Sequence, residues 1–330
     1  PTGPVPLAGV GGKIWGWLVC QPLDEDFAMT PAAALLVTIS AFGHATWNLL
    51  GKRSSPTPVF FFLANGWGAL LLLPYIWWQR AVLPGLPAGF WLLILATGIC
   101  QAIYFIGLAH AYRTGDMSLA YPLLRALPVL LVAPLTLWLG QGERISGPGL
   151  SGMILVALGC LILPLPGFRQ INGRAYLTLC TLFALIAALG TTGYTIIDDA
   201  ALRQLGSLAD LGLATGARTL LFVSLQEWSI ALMMGAYLLI RPVERPHFHQ
   251  SLRRDRSRAA LTGVIMVTTY GLVLLAMNWA SNVSYVAAFR QLSIPLGALL
   301  GMTIQGEPRL PTRFWGIGII FAGLVLVALG

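Results

Sequence analysis

The feature that most constrains this chain is a series of long apolar runs that carry almost no charge. From residue 30 onward we count ten of them, at 31–51, 57–78, 89–111, 117–140, 146–166, 174–197, 217–240, 258–280, 282–305 and 312–329. A helix that crosses a bilayer needs about 20 apolar residues, and most of these runs are close to that length. Because the runs are continuously apolar instead of alternating, they predict helices and exclude a β-barrel. The sequence therefore predicts an all-α integral membrane protein with ten transmembrane helices.

Composition excludes the other broad classes. Hydrophobic residues make up 57% of the chain and charged residues only 10%, whereas an ordinary soluble domain has about 25% charged residues. The net charge is +8, and most basic residues lie in short loops, where they set orientation and meet the head groups of the lipid bilayer. We find no nucleic-acid motif and expect no nucleic-acid partner. Four cysteines without metal-ligand spacing predict neither a disulfide framework nor a zinc site.

The chain contains an internal repeat with a spacing of about 164 residues. The matched positions are Tyr121 and Tyr285, QGE at 141–143 and 305–307, Gly107 and Gly271, Gly152 and Gly316, Gly159 and Gly323, and, with a slip of one residue, Arg125 and Arg290. Each copy holds five runs, so the second copy must enter the membrane from the opposite side. This is the inverted-topology repeat typical of secondary transporters. We assign the copies to 29–166 and 174–330, and predict that 1–28 is a disordered or non-native tail.

Three segments carry a family resemblance. They are SAFGHATWNLLGKRS at 40–54, SLAYPLLRALPVL in the fourth run and AAFRQLSIPLGALLG in the ninth run. These segments, and the repeated order of an Arg-Pro helix, a Gly-Glu turn and a Gly-rich helix, resemble the EamA-type branch of the drug/metabolite transporter superfamily. The resemblance implies a ten-helix carrier of the inner (cytoplasmic) membrane that exports amino acids, related metabolites or drugs. It also implies a central cavity lined largely by helices 1, 3, 4, 6, 8 and 9.

Two lines of argument predict opposite orientations of the chain in the membrane. Most Lys and Arg residues lie in the loops that follow odd-numbered runs, so the positive-inside rule puts both termini outside the cell. The resemblance implies cytoplasmic termini instead. Both orientations stay open.

Two arginines lie inside apolar runs, which is the strongest functional indication in the sequence. Arg125 is flanked by Pro122 and Pro128, and Arg290 lies near Pro295. A charge in mid-membrane is costly unless it faces a cavity or the interior of the helix bundle. A guanidinium matches a carboxylate or phosphate with two parallel hydrogen bonds, so one interpretation is an anion clamp. The other is a structural pair that holds the repeats together.

Polar and aromatic side chains near the arginines are candidate substrate-binding residues. His44, Trp47 and Asn48 share one face of the first helix, which predicts either a cavity stripe or interhelical hydrogen bonds. Tyr121 and Tyr285 are cavity candidates by the repeat, with an interfacial aromatic belt as the alternative. Tyr194 in the sixth helix completes this candidate set.

Three titratable residues are proton-coupling candidates. Asp198, near the predicted end of the sixth helix, is either a coupling carboxylate or half of a solvated interfacial pair. Glu227 lies inside the seventh run or near its end, depending on where that run begins. His110 is either a titrating group or a packed hydrogen-bonding residue. We expect no metal and no cofactor.

These observations predict a secondary active transporter that exports small carboxylate-bearing metabolites, such as amino acids, by alternating access. Protons are the candidate coupling ion, the molecule is a monomer or homodimer, and no enzymatic activity is expected. Alternatives are uptake of a phosphonate- or phosphate-bearing metabolite, a membrane enzyme acting on lipid-linked substrates, and a scaffold or sensor. The 12 acidic residues form none of the clusters that such an enzyme needs. The sequence also contains no Walker A motif for a nucleotide-driven pump.

Overall fold

The computed structural model describes most of the chain after residue 27. The described residues are 28–53, 57–114, 117–141, 145–163, 165, 167, 178–208, 211–244, 246–304 and 308–330. The repeated Gly-Glu pairs at 142–143 and 306–307, and nearly all of the predicted tail, lie outside them.

All regular elements of the described residues are helical. In chain order the α-helices are α1 (Pro31–Arg53), α2 (Pro58–Trp78), α3 (Ala88–Thr114), α4 (Met117–Thr136), α5 (Gly147–Ile162), α6 (Leu179–Ser207), α7 (Thr215–Ile240), α8 (Pro246–Arg254), α9 (Arg256–Met277), α10 (Val283–Phe289), α11 (Ser293–Ile304) and α12 (Pro311–Leu329). The prediction of an all-α protein is confirmed.

Several of these helices are suited to a membrane. Within the described chain, seven helical segments have both the length and the apolar composition to cross a bilayer: Pro58–Ala81, Ala88–Thr114, Leu179–Ser207, Thr215–Ile240, Arg256–Met277, Val283–Leu300 and Pro311–Leu329. Their outer faces expose large apolar side chains such as Leu92 and Val325. Trp77 and Trp78 are also exposed, and the Arg80 guanidinium lies 4.8 Å from the Trp77 ring, an arrangement typical of the membrane–water interface. The architecture is that of a multi-pass membrane protein.

Two parts of the fold differ from the sequence predictions. Helix α6 runs to Ser207, ten residues beyond the predicted end at 197, so Asp198 lies within the helix and not at its end. The segment between the predicted runs 217–240 and 258–280 was expected to be a loop, but it contains the short helix α8. Phe248 of α8 lies against Phe62 of α2, with ring centroids 6.4 Å apart.

Helix packing in the bundle is extensive. The long contacts join α3 to α6, α5 to α12, α1 to α9, α2 to α7, α2 to α9, α3 to α7 and α4 to α6. Glycines allow the tightest of these contacts. A Cβ added to Gly152 of α5 would lie 2.6 Å from the Gly323 carbonyl oxygen of α12, and one added to Gly159 would lie 2.9 Å from the Gly316 oxygen. These four glycines are among those that the repeat matched in the sequence.

The helix that carries Arg290 is interrupted. Between α10 and α11 the residues Arg290–Leu292 form one 3₁₀ turn. Pro295 has no backbone N–H to donate to the carbonyl of Gln291, so a regular α-helical hydrogen bond cannot form there. The Ser293 hydroxyl instead donates to the Arg290 carbonyl oxygen over 3.0 Å. The turn therefore fixes the backbone from which the arginine side chain projects.

Candidate functional site

A narrow cavity of about 30 Å³ lies at the centre of the helix bundle. Its lining comes from α1, α2, α3, α4, α6, α7, α9 and the 3₁₀ turn between α10 and α11. The lining residues are His44, Trp47, Asn65, Gln101, Tyr104, Phe105, Arg125, Tyr194, Glu227, Met266, Tyr270 and Arg290. Two of these helices, α2 and α7, are not among those that the family resemblance implies. Binding sites for small molecules are commonly concave, with polar groups that fix the orientation of the ligand, and most helices of this lining contribute such a group.

Both intramembrane arginines reach this cavity. Arg125 and Arg290 are 7% and 5% exposed, respectively. The Arg290 Nη2 donates to the Tyr194 hydroxyl over 3.2 Å, and its guanidinium carbon lies 5.2 Å from the centre of the Tyr270 ring. Within the described part of the chain, Arg290 forms no ion pair with a carboxylate, and its Nε has no hydrogen-bond partner. The positive charge of Arg290 is thus stabilised by aromatic rings, and its guanidinium remains able to bind an anion.

The arginines also border a second, adjoining space of about 10 Å³. Tyr104 and Tyr194 line both spaces together with Arg125 and Arg290. The two tyrosine rings meet edge to face, with centroids 5.9 Å apart. Aromatic side chains therefore stand beside the cationic groups and supply apolar contact area for a solute.

The first helix contributes an oriented histidine. Trp47 Nε1–H donates to His44 Nδ1 over 2.8 Å. Because an indole nitrogen is only a donor, His44 Nδ1 must accept, and the neutral imidazole carries its proton on Nε2. That Nε2 is buried and has no hydrogen-bond partner among the described residues. His44 thus offers one N–H donor to the cavity.

Asp198 is the centre of a hydrogen-bond network behind the cavity wall. It is fully buried, and its Oδ1 accepts from the Thr97 hydroxyl and from Gln226 Nε2, the latter over 2.8 Å. Its Oδ2 accepts from the Tyr270 hydroxyl. The three donors come from α3, α7 and α9, so the carboxylate ties four helices together and fixes the ring on which Arg290 lies. The neighbouring Asp199 accepts from Arg203 Nε over 2.7 Å.

Glu227 occupies a different setting on α7. It lines the cavity and is 4% exposed, and its Oε2 has no hydrogen-bond partner within the described structure. Helix α7 extends from Thr215 to Ile240, so Glu227 lies near its middle. The sequence left open whether Glu227 lies inside the seventh run or near its end, and in the structure it lies inside.

Several predicted residues lie elsewhere. Tyr285 is fully buried outside the cavity, where its hydroxyl accepts from the Ser146 amide over 2.8 Å, so the cavity position expected from the repeat is not observed. Asn48 also lies outside the lining and donates to the His44 carbonyl over 2.6 Å. His110 is half-buried, with Nδ1 2.8 Å from the Ile106 carbonyl oxygen. Tyr121 belongs to α4, but its side chain is outside the described set.

Other lining residues were missed in the sequence. Asn65 and Gln101 are single amides in apolar helices, buried at 1% and 5% exposure, and an isolated amide in an apolar run is itself an indication of a polar interior. Tyr104 and Tyr270 had no such indication, because tyrosines are equally common at membrane interfaces. Among the described residues, no group of three His, Cys, Asp or Glu side chains could hold a metal ion.

Comparison with known proteins adds information on the fold alone. No protein-family model matches the chain, and no curated protein matches it. A solved structure described only as "Crystal structure of protein" is similar, with a TM-score of 0.64 and 15% sequence identity. The match covers 90% of this chain and 96% of the other. The helical arrangement described above is therefore one that also occurs in an experimentally determined protein.

Proposed function

We propose that this protein is a secondary active transporter of small carboxylate-bearing metabolites, such as amino acids, and that it exports them across the cytoplasmic membrane by alternating access. The observation that carries the proposal is the position of Arg125 and Arg290, which come from different parts of the chain and line one buried cavity. The buried Arg290 guanidinium forms no ion pair with a carboxylate of the described residues, so it is suited to binding the carboxylate of a solute. We further propose that the chain belongs to the EamA-type branch that its sequence resembles.

The packing of helices supports a ten-helix architecture of two inverted five-helix repeats. If α1 to α5 correspond to α6, α7, α9, α10–α11 and α12, the contact of α1 with α9 corresponds to that of α6 with α3. The contacts of α2 with α7 and of α5 with α12 then map onto themselves. The close approach of Gly152 to Gly323 likewise corresponds to that of Gly316 to Gly159. Such an arrangement is common in secondary transporters, whose substrate sites lie between the repeats.

Coupling to protons is part of the proposal, and the two carboxyl candidates differ in their surroundings. Asp198 accepts hydrogen bonds from three side chains, whereas Glu227 faces the cavity. A carboxyl that faces the cavity can exchange protons with water admitted there, so Glu227 is the stronger candidate. His110 lies outside the cavity lining and is the weakest of the three.

Uptake of a phosphate- or phosphonate-bearing metabolite is the second candidate function. Arginine binds these groups as readily as carboxylates, and His44 Nε2–H would be a further donor to such an anion. The two candidates differ in the charge that the arginines must neutralise and in the direction of transport.

Comparative metabolite release tests the proposal. Cells would express the wild type, an Arg125→Gln/Arg290→Gln variant or an Arg80→Gln control at equal membrane levels, and the medium would be profiled by mass spectrometry. Arg80 is a suitable control because it lies on the exposed surface against Trp77. We expect carboxylate-bearing metabolites to accumulate with the wild type and the control only. Equal accumulation with the double variant would contradict the anion-clamp role of the arginines.

A further inference from the structure

Glu227 places a carboxyl group in the same cavity as the two arginines. It lies on α7, whereas Arg125 lies on α4 and Arg290 on the 3₁₀ turn. Within the described structure Glu227 takes part in no ion pair, and its buried Oε2 accepts no hydrogen bond. The cavity therefore has cationic groups and a carboxyl group, and among the described residues Glu227 forms no ion pair with either arginine.

A purely structural role does not account for this carboxyl. Burying a polar group without a partner is unfavourable, and Asp198, which does hold helices together, accepts from three donors. The space beside Glu227 is kept open by Gly68 of α2, since a Cβ there would lie 3.2 Å from Oε2. Glu227 is thus accommodated by its neighbours but not bonded to them.

The groups around Glu227 fit a cation. Phe105, Tyr104 and Trp47 share the cavity with it, and aromatic faces attract ammonium groups. Asn65 uses its Nδ2 to donate to the Phe61 carbonyl over 2.7 Å, so its other side-chain atom, the amide oxygen, is an acceptor. The cavity thus offers acceptors and aromatic rings for an ammonium group as well as donors for a carboxylate.

We propose that Glu227 binds the protonated amine of the solute while Arg125 and Arg290 bind its acid group, so that the site selects small zwitterions over acids without an amine. This inference rests on the proposed transport function and narrows its substrate class.

Efflux from proteoliposomes tests the inference. Purified wild type, Glu227→Gln, Glu227→Asp and Trp228→Phe would be reconstituted, and vesicles loaded at one pH with valine, leucine and phenylalanine plus the same acids without the amine. Trp228→Phe is the matched control, because Trp228 is the next residue of α7, lies outside the lining and has an indole N–H without a partner among the described residues. The efflux measured from protein-free vesicles would be subtracted as the background.

We expect wild type and Trp228→Phe to release the zwitterions in preference to the acids. Hydrogen bonds to charged groups contribute enough that Glu227→Gln should reduce this preference about tenfold to a hundredfold, and Glu227→Asp, which keeps the charge, should reduce it less. Equal release of zwitterions and plain acids by the wild type, or an unchanged preference in Glu227→Gln, would overturn the inference while leaving the transport function intact. Release of no probe by the wild type would overturn both.

Discussion

Replacing Gly152 with alanine should destabilise the packing of α5 against α12. The added Cβ would lie 2.6 Å from the Gly323 carbonyl oxygen and 2.8 Å from the Val327 nitrogen, whereas ordinary contact begins at 3.4 Å. Both nearest atoms belong to backbone, so no side-chain rotation relieves the overlap. The two helices would have to separate locally by about 0.8 Å, and overpacking of this kind costs about 1–3 kcal/mol.

Gly318→Ala is the matched control, since Gly318 lies in α12 and a Cβ there meets nothing within 4 Å. Alanine favours a helix over glycine by about 1 kcal/mol, so this variant should be neutral or slightly stabilised. Thermal unfolding of the purified proteins in one detergent measures the difference, and the midpoint of Gly152→Ala should fall by about 2–5 °C. Equal midpoints for the two variants would refute the close approach of α5 and α12.

Three further outcomes are expected. Tyr285→Phe should lower the free energy of unfolding by about 0.5–1.5 kcal/mol, because the part-buried Ser146 amide loses its acceptor, and leave solute efflux unchanged; reduced efflux at equal protein level would show that Tyr285 takes part in binding. Asp198→Ala should lower thermal stability far more than Asp199→Ala, which removes only a partly exposed ion pair worth about 0–1 kcal/mol; similar midpoints would contradict the network. Trp47→Phe removes the described donor to His44 Nδ1, so efflux should fall and the free energy of unfolding should fall by about 1–3 kcal/mol, because a buried acceptor loses its donor; unchanged efflux at equal protein level would show that the histidine needs no orientation.

The sequence predicted those features that depend on local composition. Long apolar runs predict helices because the backbone in a bilayer must satisfy its own hydrogen bonds. The position of the two arginines in one cavity could be anticipated from the cost of an intramembrane charge, since only a cavity or an interior partner offsets that cost. These inferences need no knowledge of which helices are neighbours.

The remaining features depend on contacts between helices. Two adjacent aspartates at 198 and 199 resemble the end of a membrane helix, but Asp198 is bonded by side chains of α3, α7 and α9, which no local pattern shows. The repeat gave Tyr285 the same expected surroundings as Tyr121, yet its hydroxyl is taken up by the start of α5. Helix α8 has only nine residues and is amphipathic, so a search for apolar runs of about 20 residues does not detect it.

The 3₁₀ turn at Arg290–Leu292 determines how the two halves of its helix are set relative to each other. A 3₁₀ helix advances about 120° and 2.0 Å per residue, and an α-helix about 100° and 1.5 Å. If these three residues changed to α-helical geometry, α11 would turn by about 60° relative to α10 and the segment would shorten by about 1.5 Å. Arg290 is the first residue of that turn, so a solute that binds its guanidinium more tightly in one of the two geometries would shift the equilibrium toward that geometry.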